Sequence, residues 1–402
     1  MNGGFLLAVV LLSACGEAWS PESIIEDLRV IGMKAEPAEL KPGESASLSA
    51  LIIDPSRPGA KNTVVWLGCA PDPFNLGRSA CSDPAVLQDP SALVTGGTLP
   101  PGVRFIGLNN NASYPADKDV FSLLPADDSR RLTGTVGQVL AIALAEETLG
   151  IPSMTELTAL FGRVKNKEVK AVITLFRIRV SEAPTRNTNP TISGFKVAGE
   201  LQLPGIRTRV SPAQKLEVGL EAPDESFEPY VEVTPTTTED KLEKLTSAWY
   251  STSGRFKTLR VALRTDVHQE FTVAGDPEFP LDVVPNKRTG TFYVVMRDTR
   301  GGQDWLEQPF WICDITEPEA MITAVKSPAV RGELVIIEGT QLEGLLDVEV
   351  GGVGLTRGAF NAATGSWEAL IPPTLAPGSH PMTFHRKNCR PMAGTSFMLT
   401  VP

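Results

Sequence analysis

The pattern that decides the fold is the stretch Pro42-Gly43-Glu44-Ser45-Ala46-Ser47-Leu48-Ser49-Ala50-Leu51-Ile52. Apolar and polar residues alternate within it, which is the spacing of a strand with one buried face. The Pro-Gly pair marks a turn before the strand. The alternation therefore predicts a half-buried β-strand that begins directly after a turn. Its apolar positions are Ala46, Leu48, Ala50 and Ile52, and its polar positions are Ser45, Ser47 and Ser49.

Strand signals flank this stretch on both sides. Leu28-Arg-Val30 fits an entry strand, and Thr63-Val-Val-Trp66-Leu67 fits the next core strand. The order of entry strand, Pro-Gly turn and alternating strand resembles the start of bacterial immunoglobulin-like domains, and that resemblance implies a β-sandwich. Immunoglobulin domains proper place Cys, Trp and Cys on separate strands. Here Trp66 precedes both Cys69 and Cys81, so a bridge between these cysteines would staple a loop.

A helical insertion is predicted later in the first domain, between about residues 83 and 167. Two apolar stripes recur there at helical spacing, and a Gly and a Pro that stop a helix follow the first. The second stripe follows Ser153-Met-Thr-Glu156, which has the form of a capping box. We therefore expect a small helical hairpin docked on the sandwich, and then a long strand over 169–180. The stripes are Val136, Val139, Leu140, Ala143 and Leu144, stopped at Gly150 and Pro152, and Leu157, Leu160, Phe161 and Val164.

The length of 402 residues predicts several domains, because a single hydrophobic core does not extend over so long a chain. The turn-rich stretch 181–190 has no periodicity and indicates a boundary. We expect a first immunoglobulin-like domain over 27–183, a second over 190–314 and a third domain over 318–402. The predicted fold class is mainly β, with tandem immunoglobulin-like β-sandwiches and a small helical hairpin inserted in the first domain.

The third domain carries a family likeness. The run Gly332–Leu342, the segment Val348-Glu-Val-Gly-Gly-Val353 and Trp367–Pro373 together resemble an IPT/TIG-type immunoglobulin-like domain. Gly351-Gly352 supplies the positive φ of a tight hairpin turn, and Pro372-Pro373 ends ladder pairing. The resemblance implies a fold used in adhesins, receptors and extracellular spacers, and it supplies no catalytic residues.

The beginning of the chain indicates where the protein is located. An apolar run, Phe5–Leu12, is too short to span a bilayer and leads into Leu12-Ser13-Ala14-Cys15. This resembles the lipobox of bacterial lipoproteins, which implies a signal peptide over 1–14, lipidation of Cys15 and a tether over 15–26. Gly16, in place of the Asp of inner-membrane retention, implies the outer membrane, on its periplasmic or its surface face. The whole pattern resembles lipoproteins of myxobacteria and their relatives.

Four other cysteines, Cys69, Cys81, Cys313 and Cys389, suggest two disulfides in the oxidising envelope. Cys69 and Cys81 are the natural local pair, and Cys313 would then pair with Cys389. Zinc is the competing interpretation, but neither pair has CxxC spacing and the histidines are far from Cys69. We therefore predict two disulfides and no metal site.

Composition and motifs favour a protein without catalytic activity. A net charge of −10 gives little electrostatic support for nucleic acid binding. An acidic surface also repels anionic lipid head groups, so membrane contact should run through the acyl chains. No HExxH, GxSxG, P-loop, dinucleotide-binding or EF-hand pattern occurs. Ser193-Gly-Phe-Lys196 matches S-x-x-K, but it opens a β-domain where that chemistry needs a helix. We predict no cofactor.

Three further features have both a functional and a structural interpretation. Four loop carboxylates could hold calcium or be solvated: Asp117, Asp119, Asp127 and Asp128. The basic segment His385-Arg386-Lys387 could face an anionic polymer or form a solvated loop tip. Either of two tryptophans, Trp305 or Trp311, could stack on a sugar ring or belong to a core.

These observations lead to one hypothesis and two alternatives. The hypothesis is a non-enzymatic lipoprotein, anchored in the outer membrane, that mediates protein or glycan contacts in the cell envelope. The alternatives are an envelope enzyme that acts on glycans, with carboxylates brought together only by folding, and a purely architectural spacer.

Overall fold

The computed structural model describes residues 22–57, 60–74, 81, 83, 99–147, 153–233, 237–263, 267–281, 288–326, 329–390 and 397–402. The predicted signal peptide over 1–14, the lipidation site Cys15 and the helix stop at Gly150 and Pro152 lie outside these residues. Within these ranges, every helix is too short or too polar to cross a membrane.

A mainly β fold is confirmed, with three sandwiches along the chain. In the first, the sheet β1-β3-β6 packs on the sheet β2-β8-β7-β4-β5 around Trp66 and Tyr114. The strand predicted from alternation is β3, which pairs with β1 and β6. Its elements are β1 (Arg29–Glu36), β2 (Glu39–Leu40), β3 (Ser45–Ile53), β4 (Thr63–Cys69), β5 (Val103–Leu108), β6 (Ala112–Pro115), α1 (Ser129–Thr133), β7 (Thr135–Leu144), α2 (Met154–Lys165) and β8 (Ala171–Val180).

The helical hairpin was predicted wrongly in its first half. The stripe from Val136 to Leu144 is the strand β7, which lies between β4 and β8. Leu140 and Ile142 face one core while Val139 and Ala141 face another, so both sides of the strand are buried. A strand buried on both faces is a continuous apolar run, and its periodicity cannot be distinguished from that of a buried helix.

The second half of the hairpin is confirmed as α2. The Ser153 hydroxyl accepts the Glu156 N–H at 3.3 Å, and the Glu156 carboxylate accepts the Ser153 N–H at 2.7 Å. This is the predicted capping box. Leu157, Leu160 and Phe161 pack the helix onto the outer face of the sheet that contains β7. The helix therefore covers that sheet and forms a second small core.

The second sandwich packs the sheet β10-β9-β12-β18-β16 on the sheet β11-β20-β19-β15-β17. Its core is rich in aromatic rings, with Phe292 stacked on Phe310 at a centroid distance of 4.4 Å. A separate two-stranded hairpin, β13-β14, projects from it. The strands are β9 (Gly194–Val197), β10 (Glu200–Leu201), β11 (Thr208–Val210), β12 (Lys215–Glu221), β13 (Pro229–Val233), β14 (Thr238–Leu242), β15 (Leu245–Ser251), β16 (Gly254–Phe256), β17 (Arg260–Leu263), β18 (Val267–Val273), β19 (Thr289–Arg297) and β20 (Gln303–Ile312).

The third sandwich packs β21-β22-β26-β25 on β24-β23-β27-β28 around Trp367. Gly351 and Gly352 join β23 to β24 with φ of 59° and 80°, so the predicted tight hairpin is present. The strands are β21 (Met321–Val325), β22 (Leu334–Thr340), β23 (Leu345–Val350), β24 (Val353–Gly354), β25 (Thr356–Asn361), β26 (Ser366–Leu370), β27 (Gly378–Arg386) and β28 (Phe397–Val401).

Both disulfides that the sequence suggested are present. Cys69, the last residue of β4, bonds to Cys81 across a Cα–Cα distance of 6.0 Å. Cys313 directly follows β20 and bonds to Cys389, beyond the end of β27, across 5.4 Å. The second bridge therefore ties the exit of the second sandwich to the third.

Gly137 in β7 is expected to tolerate no side chain. A Cβ there would lie 2.2 Å from the Tyr114 hydroxyl, which donates to the Cys69 carbonyl at 3.0 Å. We expect Gly137→Ala to lower the free energy of unfolding by about 1–3 kcal/mol, measured by urea denaturation. Gly162→Ala in α2 is the matched control, because nothing lies within 4 Å of a Cβ at that position. Equal unfolding midpoints for the two variants would contradict this account of the core.

Candidate functional site

The first two sandwiches share an apolar interface. Ile31, Leu51 and Ile53 of the first sandwich pack against Tyr293 and Val295, on the outer face of the second sandwich. Their burial excludes water from the junction and stabilises one relative orientation of the two units.

The chain enters this interface before it forms β1. Ile25 donates its N–H to the Ser251 carbonyl, and Ser251 donates its own to the Ser23 carbonyl, both at 2.8 Å. Ile24 lies in the core of the second sandwich, and Ile25 lies in the shared interface. The prediction extends a tether to residue 26, but residues 23–25 are buried in the body of the protein.

Three residues between the sandwiches, Asn187, Thr188 and Asn189, form hydrogen bonds to both units. We call this segment the junction strap. Its contacts with the first sandwich are Asn187 N–H to the Glu39 carboxylate (2.9 Å) and Asn189 Nδ2 to the Ala35 carbonyl (2.8 Å). Its contacts with the second are Asn187 Nδ2 to Asp298 (2.9 Å), Gln303 N–H to Asn189 Oδ1 (2.9 Å) and the Thr188 hydroxyl to Glu228.

Glu39 is the anchor of the strap in the first sandwich. Only 2% of its surface is exposed. Its carboxylate accepts the Ser181 hydroxyl and the Asn187 N–H, and Arg179 Nε lies 3.6 Å from Oε1. Because its oxygens already accept these bonds, the carboxylate is held in one position.

Arg300 is the corresponding group of the second sandwich. Its guanidinium bonds to Glu243 at 3.0 Å, pairs with Glu228 and lies 4.8 Å from the centroid of the Tyr230 ring. Only 5% of the Arg300 side chain is exposed. Two acidic side chains, Glu228 and Glu243, therefore bond to one buried cation, and the same cation packs on the Tyr230 ring.

Burial changes the acidity of this cluster. It raises the pKa of Glu243 to about 7, although the Arg300 guanidinium opposes the shift. It also raises the pKa of Asp298, against hydrogen bonds from Asn187 and from N–H groups of the turn that follows. Two closely spaced acids therefore hold their protons more strongly in the folded chain than in water.

A cleft of about 490 Å³ opens beside the strap, between the first sandwich and the β13-β14 hairpin. Its volume is in the range of ligand sites. Apolar side chains form most of its walls, and Tyr230 adds an aromatic ring. Its charged side chains are Glu39, Arg179, Asp240, Lys241 and Arg300. The lining residues used below are Leu132, Thr185, Tyr230, Val231, Thr238 and Asp240.

The two tryptophans considered for sugar stacking lie at domain junctions instead. Trp305 packs against the apolar interface of the first two sandwiches, beside Gly32. The Trp311 ring lies 4.4 Å from the His385 ring and 5.2 Å from the Arg207 guanidinium. Both rings are therefore used in packing between sandwiches.

The other candidate residues have structural partners. His385 and Arg386 belong to β27, and Arg386 is buried and bonds to Glu319 at 2.8 Å, so this segment is not a solvated loop tip. Asp128 caps α1 through the Arg130 N–H. Among the described residues, no group of three or more His, Cys, Asp or Glu side chains is placed to hold a metal ion.

Sequence reasoning did not find this cleft. Tyr230, Glu243 and Arg300 come from separate elements, so no short motif joins them. A weak signal is the turn-rich stretch 181–190, whose composition by itself predicts only a boundary. Its Asn and Thr side chains are the groups that bond to both sandwiches.

No family model matches the chain, and no curated protein matches it. Among solved structures, similarity is found to SGBP-B of the Bacteroides ovatus mixed-linkage glucan utilization locus, with 14% identity over 54% of this chain and 48% of that one, at a TM-score of 0.19. The chain thus spans about half the length of that protein. An ice-binding adhesin of an Antarctic bacterium is 11% identical over 93% of this chain and 73% of that one, with a TM-score of 0.19. A structure with a xylogluco-oligosaccharide is 9% identical over 93% and 60%, with a TM-score of 0.18. At these scores the similarities support no functional conclusion.

The acid cluster predicts a pH dependence of stability. The unfolded chain releases the Glu243 proton near the ordinary value of 4.5, while the folded protein keeps it to about pH 7. This acid should therefore lower the free energy of unfolding as pH rises between these values. We expect the stability of Glu243→Gln, measured as its difference from the parent, to rise from about pH 5 to pH 8 in urea denaturation. This trend adds to any pH-independent cost of removing an acid beside Arg300. Arg300, Glu228 and Asp298 remain around the substituted group.

Glu200→Gln is the control for this experiment. Glu200 is exposed in β10, so its substitution should leave the pH dependence of the parent unchanged. If the stability curves of Glu243→Gln and the parent run parallel over the whole range, the burial account of Glu243 is wrong.

Proposed function

We propose that the protein is a non-enzymatic lipoprotein, anchored in the outer membrane through Cys15, that binds a protein or glycan partner in the cell envelope. The observation that carries this proposal is the cleft beside the junction strap. Its walls come from two sandwiches whose relative position is set by buried apolar contacts and buried hydrogen bonds. Preformed clefts at domain interfaces are common sites of ligand binding.

The chemistry of the cleft favours a glycan over an apolar ligand. An aromatic ring packs on the apolar face of a sugar, and hydroxyls, carboxylates and guanidinium groups bond to its hydroxyls. Tyr230 supplies the ring, and Thr185, Asp240 and Arg179 supply polar groups in the same cleft. The net charge of −10 is unfavourable for nucleic acid.

The carboxylates of the cleft support binding rather than hydrolysis. A glycosidase needs two carboxyl groups that reach the scissile bond. Two carboxylates line the cleft, Glu39 and Asp240, and Glu39 already accepts the Ser181 hydroxyl and the Asn187 N–H. Glu39 thus serves the junction, which leaves Asp240 without a second carboxylate among the described residues of the cleft to act with. A purely architectural spacer remains the alternative that predicts no stable partner.

Removal of the lipidated thiol tests the anchor. We expect Cys15→Ala to leave the membrane fraction and to be recovered in the soluble fraction, because each buried acyl methylene contributes about 0.8 kcal/mol to anchoring. Fractionation by centrifugation, followed by detection of the protein, gives the result. A Cys15→Ala protein that still sediments with membranes would contradict the proposal of a lipid anchor at Cys15.

Substitution at the cleft tests the binding role. A photo-cross-linking amino acid at Thr185 should capture a discrete partner or glycan in native envelopes, because this exposed residue lines the cleft. Tyr230→Ala should reduce that capture by about tenfold, the effect expected for loss of a central aromatic contact.

Phe360→Ala is the matched control, since Phe360 is an exposed ring on the third sandwich. It should leave capture unchanged. Reproducible absence of any captured species would favour the spacer, and release of soluble fragments from peptidoglycan by the purified protein would favour the enzyme.

A further inference from the structure

The strand β8 has an open edge. On one side it pairs with β7 along its whole length, from Ala171 to Val180. On the other side β2 covers only Arg179 and Val180. Elsewhere on that side, no strand of the described chain pairs with β8. An uncovered edge presents a row of backbone donors and acceptors that can pair with another chain.

The register shows which backbone groups face the opening. The N–H and C=O of one strand residue point to the same side, and the side alternates along the strand. Ser181 donates its N–H to Leu40 of β2 at 2.9 Å, and the Lys170 carbonyl accepts from Ala145 at 2.9 Å, after the end of β7. The backbone groups of Ile173, Leu175 and Arg177 therefore point to the side of β8 away from β7. The Arg177 carbonyl lies near Gly301, where a Cβ would be 3.8 Å from the oxygen.

The residues of this edge are suited to strand pairing. Residues 171–176 read Ala-Val-Ile-Thr-Leu-Phe, with no charge, no Pro and no Gly. Such segments have high β propensity and pair readily when an edge is accessible. Residues 171–175 are half-buried, so the edge is in part accessible to solvent.

The facing strand, β1, is closed by the second sandwich. Three side chains of the strap and the second sandwich bond to its outward backbone groups. They are Arg297 on the Ile31 carbonyl (2.7 Å), Gln303 Oε1 on the Met33 N–H (3.3 Å) and Asn189 on the Ala35 carbonyl (2.8 Å). In the gap between the two strands, the outward backbone groups of β1 are thus hydrogen-bonded, whereas those of β8 face no paired strand of the described chain.

This gap is a groove of about 440 Å³, which we call the β8 groove. Residues 30–33 form one side, residues 174–177 form the other, and Arg297, Gly301 and Gln303 complete the lining. Arg177 is exposed, and no carboxylate is among the described residues that line the groove. Two arginines without a lining acid make the groove locally positive on a chain whose net charge is −10. This local charge, and not the net charge, is complementary to an anionic ligand.

We propose that the β8 groove binds an extended peptide of a partner protein as an additional strand on β8, with a carboxylate of the peptide held by Arg177 and Arg297. Main-chain hydrogen bonds to Ile173, Leu175 and Arg177 supply the affinity, as in other cases of strand addition. The Arg177 fork fits a carboxylate in a bidentate way and sets the register, while Arg297, whose Nη2 donates to the Ile31 carbonyl, adds positive charge from the groove wall. This goes beyond the function proposed above, because none of these residues lines the Tyr230 cleft.

Binding of a defined probe tests the proposal on the full chain. The probe is a short fluorescent peptide of alternating valine and threonine with a free C-terminal carboxylate. We expect saturable binding with a Kd below about 1 mM. Amidation of the peptide terminus and Arg177→Glu should each weaken binding by about tenfold, since each removes one side of a charge-assisted contact. Arg209→Glu makes the same charge change at an exposed residue of β11 and should have no effect.

Hydrogen exchange distinguishes strand addition from other modes of binding. The bound peptide should slow exchange of the amides of Ile173, Leu175 and Arg177, and Tyr230→Ala should leave this protection intact. The proposal is overturned if the carboxylate peptide does not bind, or if binding leaves these three amides unprotected. Protection that rises with protein concentration in the absence of peptide would assign the edge to a second copy and would equally overturn it.

Discussion

The junction strap is the constraint on which the rest of the structure depends. Asn187 and Asn189 each bond to both of the first two sandwiches, and Asn187 is 2% exposed. A buried donor without an acceptor is costly, so the N–H and Nδ2 groups of Asn187 require Glu39 and Asp298 to remain in place on either side. Apolar contacts alone would allow the two units to slide, because they have little directional preference. The hydrogen bonds select one orientation, and the cleft and the groove both exist only in that orientation.

Charge burial makes this orientation intolerant of change. The Arg300 guanidinium is held by Glu243 and Glu228, while Asp298 caps the turn in which Arg300 lies. Loss of one partner of a buried ion pair costs about 3–5 kcal/mol, because the remaining charge is left without compensation. The pKa of Glu243, raised by burial to about 7, reflects the same environment. A cluster of this kind contributes more to a unique geometry than to net stability. It thereby holds the Tyr230 ring in a fixed place beside the cleft.

Short sequence patterns predicted those elements whose structure depends mainly on neighbouring residues in the chain. Alternation predicted β3, the capping box predicted α2, and paired glycines predicted the hairpin after β23. Tertiary context decided the rest. The run 136–144 lost its period of two because neighbours cover both faces of β7, so it was mistaken for a helix. The polar stretch 181–190 was interpreted as a boundary, since nothing local shows that Asn187 becomes buried. The cleft residues come from distant elements, and only the folded chain brings them together.

The junction with the second sandwich covers one edge strand of the first sandwich, β1, and leaves most of the other, β8, available for pairing. An apolar edge strand invites association, and proteins normally cover it or place charges beside it. Here the second sandwich closes β1 with the side chains of Arg297 and Gln303, whereas β2 closes only two residues of β8. A second copy on β8 would bring a further groove lined by arginines, and its described lining residues contain no acid to compensate those of the first. Like charges in one site repel, so electrostatics disfavours self-association at this edge. A peptide with a carboxylate meets no such penalty, and the same two arginines that disfavour a second copy therefore select an anionic strand.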